Sequence, residues 1–195
     1  MEEKAISEKE SLQLIGQVIG EAQHYFHETG LSSIILGFSS VLCLALAYAV
    51  DEGMYFPFHP FFLLIPVLVI QAYYARKEEK RKPVKTFTDL AIDRVWTGYF
   101  LCSIIFAISG IFGGWGNTIL IVLIFLTGLA SFITGTLTRF RYMIIASVLC
   151  WMLGVLAMFL DHSAIYLLAA LASVLIWIIP GFILRNVFKA THPHV

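Results

Sequence analysis

Histidine, carboxylate and thiol side chains carry most protein chemistry, and this sequence uses them sparingly. His24 and His27 stand three residues apart, close to one helical turn, but with no third ligand nearby the pair makes a poor metal site. His59 and His162 fall in connecting segments near Asp51, Glu52 and Asp161. Together they form a candidate cluster for a cation or a pH-sensitive contact, because imidazole titrates near neutrality. Asp89, Asp93 and Arg94 crowd the start of an apolar stretch, where Asp93 and Arg94 can pair with each other or with lipid headgroups. Cys43, Cys102 and Cys150 each sit inside apolar sequence. An odd count without CxxC spacing reads as small buried hydrophobes, not as a disulfide or zinc framework. No nucleophile elbow, phosphate loop, HExxH or dinucleotide fingerprint occurs. The sequence therefore predicts no catalytic residue, no cofactor and no metal.

The elements that would position any site are apolar runs. Of 195 residues, 59% are apolar and only 13% are charged, where a soluble domain carries about 25% charged residues. That excludes an ordinary soluble enzyme, a disordered tail and a secreted disulfide scaffold. Six runs follow one another at 31–50, 58–75, 91–112, 118–138, 142–160 and 164–184. A spanning helix needs roughly 20 apolar residues, so six use about 120 and leave no room for a second domain. The expected fold is all-α: a polytopic membrane helix bundle of six transmembrane helices in three hairpins, preceded by a cytoplasmic amphipathic helix. The expected divisions are 1–30 for that helix, 31–185 for the membrane domain and 186–195 for a cytoplasmic tail. The first thirty residues hold six acids and no short apolar core with a cleavage site, so no cleaved signal peptide is expected. Thirteen basic residues balance thirteen acidic ones, and nothing recommends nucleic acid as a partner.

The balance is local. In a six-span arrangement all thirteen Lys and Arg fall on the side of the termini, and the other side keeps only Asp51, Glu52 and Asp161. The positive-inside rule then places both termini in the cytoplasm of a bacterial inner membrane. No Asp, Glu, Lys, Arg or His occupies the middle third of any run. Such residues cost several kcal/mol at membrane depth and mark proton relays and ion pathways. Their absence predicts no proton- or sodium-coupled uptake by a single chain. Only Gln71, Thr97, Ser103, Ser109 and a stripe beginning at Thr127 offer a polar path.

Ahead of the runs, Leu12, Ile15, Ile19, Ala22 and Phe26 recur at steps of three and four, one face of a helix over 7–29. Residues 1–30 carry six acids and two bases, whereas 76–85 carry six bases (Arg76, Lys77, Lys80, Arg81, Lys82 and Lys85) and two acids. An acidic helix is repelled by anionic headgroups, so its apolar face is expected to dock on that basic loop or on a partner.

Small residues at i, i+4 and i+8 (Thr127, Ser131 and Gly135; Ala146, Cys150 and Gly154) and the pair Ser33 and Gly37 mark expected close helix contacts. Pro66 and Pro180 are expected to kink or end their helices. The tetrapeptide at 40–43 recurs at 147–150, each copy followed by an acid (Asp51, Asp161) and an Ile-Pro step (Ile65-Pro66, Ile179-Pro180). If this is a repeat, the first and third hairpins are parallel copies.

Glu10-Ser11-Leu12-Gln13-Leu14-Ile15, the run containing Gly37, Lys77-Glu78-Glu79-Lys80, Val84-Lys85-Thr86 and Ile178-Ile179-Pro180-Gly181 together resemble a family of uncharacterised six-helix bacterial inner-membrane proteins with an amphipathic N-terminal helix. The resemblance implies a regulatory or stress-related membrane role and brings no functional residues with it. Three functions stay open. The first is a non-enzymatic protein that assembles with itself or a partner through its N-terminal helix, with the lipid bilayer around it. The second is a small transporter or channel for a neutral or apolar solute. The third is a membrane-embedded enzyme, for which convergent ionisable groups are missing.

Overall fold

The computed structural model describes residues 30–58, 60–79, 87–113, 116 and 118–191. The expected amphipathic helix at 7–29 and most of the basic loop lie outside the described residues. Every regular element within them is a helix, and no strand occurs among them. Backbone running through lipid must satisfy its N–H and C=O groups within its own segment, which a helix does.

Helix α1 spans Gly30–Asp51, 22 residues, or about 33 Å at 1.5 Å per residue, against a hydrocarbon core of about 30 Å. A 3-10 turn at Pro60–Leu63 leads into α2 (Leu64–Glu79). Helices α3 (Phe87–Gly113), α4 (Thr118–Leu137) and α5 (Arg141–Ala157) follow. Helix α6 (His162–Ser173) runs through a π-helical turn, Val174–Ile178, into α7 (Ile179–Thr191) without a break.

Four stretches are long and apolar enough to cross a membrane: Gly30–Asp51, Phe87–Gly110, Thr118–Leu137 and Ser163–Asn186. The runs at 58–75 and 142–160 give shorter apolar helices, Pro60–Ile70 and Arg141–Ala157. The first is shortened by its prolines. Residues 54–58 are not helical, and the helix is regular only from Leu64. The second has 17 residues, about 26 Å, a little under the core thickness.

Between apolar helices in lipid, association rests on close packing rather than on water exclusion. The predicted small-residue stripes supply it. Ser131, Thr134, Ala146, Ser147 and Cys150 are all buried, and they belong to the α4–α5 contact. A methyl group on Gly135 would stand 2.8 Å from Met143 Cβ, and one on Gly128 would stand 2.6 Å from the Trp151 indole nitrogen. Cys150 Sγ donates to Ile124 O at 3.4 Å, and Trp151 Nε1 donates to Phe125 O at 3.2 Å. The two helices are joined through Arg139, whose φ of 56° is left-handed. Its N–H donates to Thr136 O at 3.3 Å and that of Phe140 to Gly135 O at 2.9 Å, which closes the end of α4.

Helices α1 and α7 cross as closely. A Cβ on Gly30 would meet Gly181 O at 2.9 Å, and a Cβ on Gly181 would meet Gly30 O at 2.9 Å. Gly37, one step of the predicted stripe, packs on Trp177 and Ile178.

The prolines behave differently from expectation. Pro66 is the third residue of α2, in the first turn, where a missing N–H costs no intrahelical bond. It neither kinks nor ends the helix. Pro180 does not end its helix either, because the π-helical turn just before it absorbs the disruption. The two Ile-Pro steps thus serve different roles, which dissolves the second half of the suggested repeat. The tetrapeptides do share one burial pattern, with Cys43 and Cys150 buried and Leu42 and Leu149 exposed.

Candidate functional site

The carboxylates of the candidate cluster stand at one end of the bundle. Asp51 ends α1, Glu52 follows it in the turn, and Asp161 precedes α6, whose first residue is His162. The two helix ends are neighbours, held by Tyr48 and Tyr166 with ring centroids 6.3 Å apart and edge to face. All three acids are exposed, and Asp161 makes no side-chain bond to the helix it opens. His59 lies outside the described residues. Among the described residues no three His, Cys, Asp or Glu side chains gather as a metal site. The docking face Leu12, Ile15, Ile19, Ala22 and Phe26 and the bases Lys80, Arg81, Lys82 and Lys85 lie outside the described residues, while Arg76 and Lys77 belong to the last turns of α2.

What the fold does bring together is a cavity of about 120 Å³ among α1, the 3-10 turn, α2, α3, α4 and α6 with its π-helical turn. Ser40 and Leu44 come from α1, Phe61 from the 3-10 turn and Leu64 from α2. Tyr99 comes from α3, and Leu120, Leu123, Ile124 and Thr127 from α4. Ala169, Ala172, Ser173 and Trp177 complete it. No Asp, Glu, Lys, Arg or His lines it; the polar groups are the hydroxyls of Ser40, Tyr99, Thr127 and Ser173 and the indole of Trp177.

These hydroxyls are not equivalent. Thr127 Oγ1 lies 2.7 Å from Leu123 O and 3.1 Å from Tyr99 OH. A hydroxyl carries one proton, and the shorter bond to the backbone takes that of Thr127. The longer contact is then Tyr99 donating to Thr127, which leaves the phenol oxygen with acceptor capacity only. Neither Ser40 nor Ser173 hydrogen-bonds another described residue through its side chain. Elsewhere the serine and threonine hydroxyls of Thr134, Thr136, Thr138 and Ser147 do bond back to carbonyls four residues earlier.

The aromatic wall is held from two sides. Trp177 packs on Trp96 with centroids 4.7 Å apart, and Trp96 meets Tyr99 edge-on at 5.4 Å. The π-helical turn that carries Trp177 is pinned by Tyr142. In that turn Ile179 N–H donates to Val174 O. The i+5 partner of Leu175 O is Pro180, which has no N–H to give. Tyr142 OH supplies the missing donor to Leu175 O at 3.3 Å.

Comparison with protein-family models, curated proteins and solved structures finds no match. The resemblance to inner-membrane proteins rests on the quoted residues alone.

Of the cavity residues, the sequence had singled out Thr127 as part of a polar path. Thr97, from the same set, is exposed and bonds its own helix at Asp93 O, 2.6 Å away. Ser40, Tyr99, Ser173 and Trp177 were missed. Their sole sequence signal is a proline three residues after a tryptophan, because a proline inside a spanning helix is where irregular backbone is expected. With no ionisable group and no base beside a nucleophile, the cavity is built to bind and not to transfer protons or groups.

Proposed function

We propose that the chain is a six-span protein of a bacterial inner membrane, three hairpins with both termini in the cytoplasm, that binds a neutral, largely apolar molecule within the bilayer and does no covalent chemistry on it. The four long apolar helices and the one-sided distribution of all thirteen Lys and Arg support the topology. The cavity supports the binding. Engineered apolar cavities of about 150 Å³ accept a benzene ring, so about 120 Å³ suits one small ring or a short run of methylenes. The acidic N-terminal segment and the basic 76–85 loop support a further role in assembly, with a second copy or a cytoplasmic partner, which would make the protein regulatory.

Brominated probes test the binding, because bromine quenches indole fluorescence on contact and Trp177 lines the cavity. Protein in phosphatidylcholine nanodiscs should show saturable quenching by 1-bromohexane or 6-bromohexan-1-ol. Ala172→Leu, which fills the space, should remove the saturable part while unfolding stays cooperative. Quenching that rises without saturation, equally in both proteins, would mean simple partitioning into lipid and would sink the binding reading.

A further inference from the structure

An apolar guest explains the leucines around the cavity but not its hydroxyls. In hydrocarbon a hydroxyl without a partner is costly, and helical serines usually bond back to their own backbone. Ser40 and Ser173 form no side-chain hydrogen bond to another described residue, and both line the same space. The third polar group facing them, Tyr99, has its proton engaged by Thr127, whose own proton is engaged by Leu123 O. The cavity therefore presents two hydroxyls that can donate and one oxygen that can only accept.

We infer that the guest is an alcohol, an uncharged membrane-soluble molecule whose single hydroxyl accepts from Ser40 and Ser173 and donates to Tyr99, with its hydrocarbon lying on Phe61 and Leu64. The inference rests on the binding reading above. The chemistry selects this class because a hydroxyl offers one proton and two lone pairs. A ketone or ether gives nothing to Tyr99. An alkane leaves all three groups unmet. A carboxylate or ammonium has no counter-charge in the cavity and cannot shed its own charge without cost.

The two brominated probes, alike except for the hydroxyl, decide it. Compared at equal mole fraction in the bilayer, 6-bromohexan-1-ol should half-saturate the quenching at a level at least about tenfold lower than 1-bromohexane. Ser40→Ala with Ser173→Ala should cut that preference to less than about threefold and leave 1-bromohexane unchanged, which also shows that the cavity has kept its shape. Equal half-saturation of the two probes in the parent protein, or a preference that survives the double substitution, overturns the inference and leaves the binding reading standing. Saturation by neither probe overturns both.

Discussion

Single atoms decide the closest helix contacts. At Gly181 an added methyl group would stand 2.6 Å from Ile34 Cγ1 and 2.9 Å from Gly30 O. A side-chain end can swing aside, but a partner helix's carbonyl cannot, so alanine there must part α1 from α7. Gly98 is the contrast: it is exposed on α3, and nothing approaches a Cβ within 4 Å. Glycine within a helix costs about 0.8–1.0 kcal/mol relative to alanine. Denaturant unfolding in detergent should therefore show Gly98→Ala gaining up to about 1 kcal/mol and Gly181→Ala losing about 1–3 kcal/mol, the usual range for overpacking. The same sign for both would mean that the crossing is looser than drawn.

Helices differ in how well their sequence announces them. Gly30–Asp51 and Thr118–Leu137 are legible because they are apolar on every side and long enough, and the stripes containing Ser131 and Cys150 could be read as contacts because small residues have few other uses in lipid. The cavity was not legible. Ser40, Tyr99 and Ser173 lie on three different helices with no shared spacing, and only tertiary packing brings them together. The π-helical turn hid for a related reason: a constant 3.6-residue period carried through 163–186 assumes a register that the chain leaves at Val174. The N-terminal segment offers the opposite case, a periodic face at Leu12, Ile15, Ile19, Ala22 and Phe26 waiting for a surface. Exposed ion pairs are worth at most about 1 kcal/mol each, whereas a fully buried Ile side chain contributes about 1.5–3 kcal/mol. If the segment docks through its apolar face, Ile15→Glu should expose residues 1–30 to limited proteolysis far more than Glu21→Ala does. Equal cleavage of the two variants would refute docking.

The whole molecule has a polarity that its net charge of zero conceals. Every Lys and Arg falls on one side of the proposed six-span arrangement and only acids on the other, so insertion has one favoured direction. Cysteines placed at Lys80 and Asp161, in a background with Cys43, Cys102 and Cys150 replaced, should react with a membrane-impermeant maleimide from opposite faces: Lys80 from the cytoplasm and Asp161 from outside. Labelling of both from the same face would remove the six-span arrangement, and reversal would invert it. Cys43 and Cys150 are buried and should tolerate replacement by alanine, a small apolar residue that keeps most of their volume.

The turn at Val174–Ile178 also governs how this chain can change length. Each residue of an α-helix advances the next by about 100°, and an i+5 turn holds one residue more than an α-turn would. That surplus sets the angular offset between everything before Ser173 and everything after Ile179. Upstream of the offset, Ala169, Ala172 and Ser173 face the cavity; downstream, Gly181 faces Gly30. Removing one residue would restore an even helical winding and rotate one set about a quarter of a circle away from its neighbours. Adding one would rotate it the other way. In most surface loops an insertion or deletion is absorbed locally; in this segment the residue count is itself part of the packing.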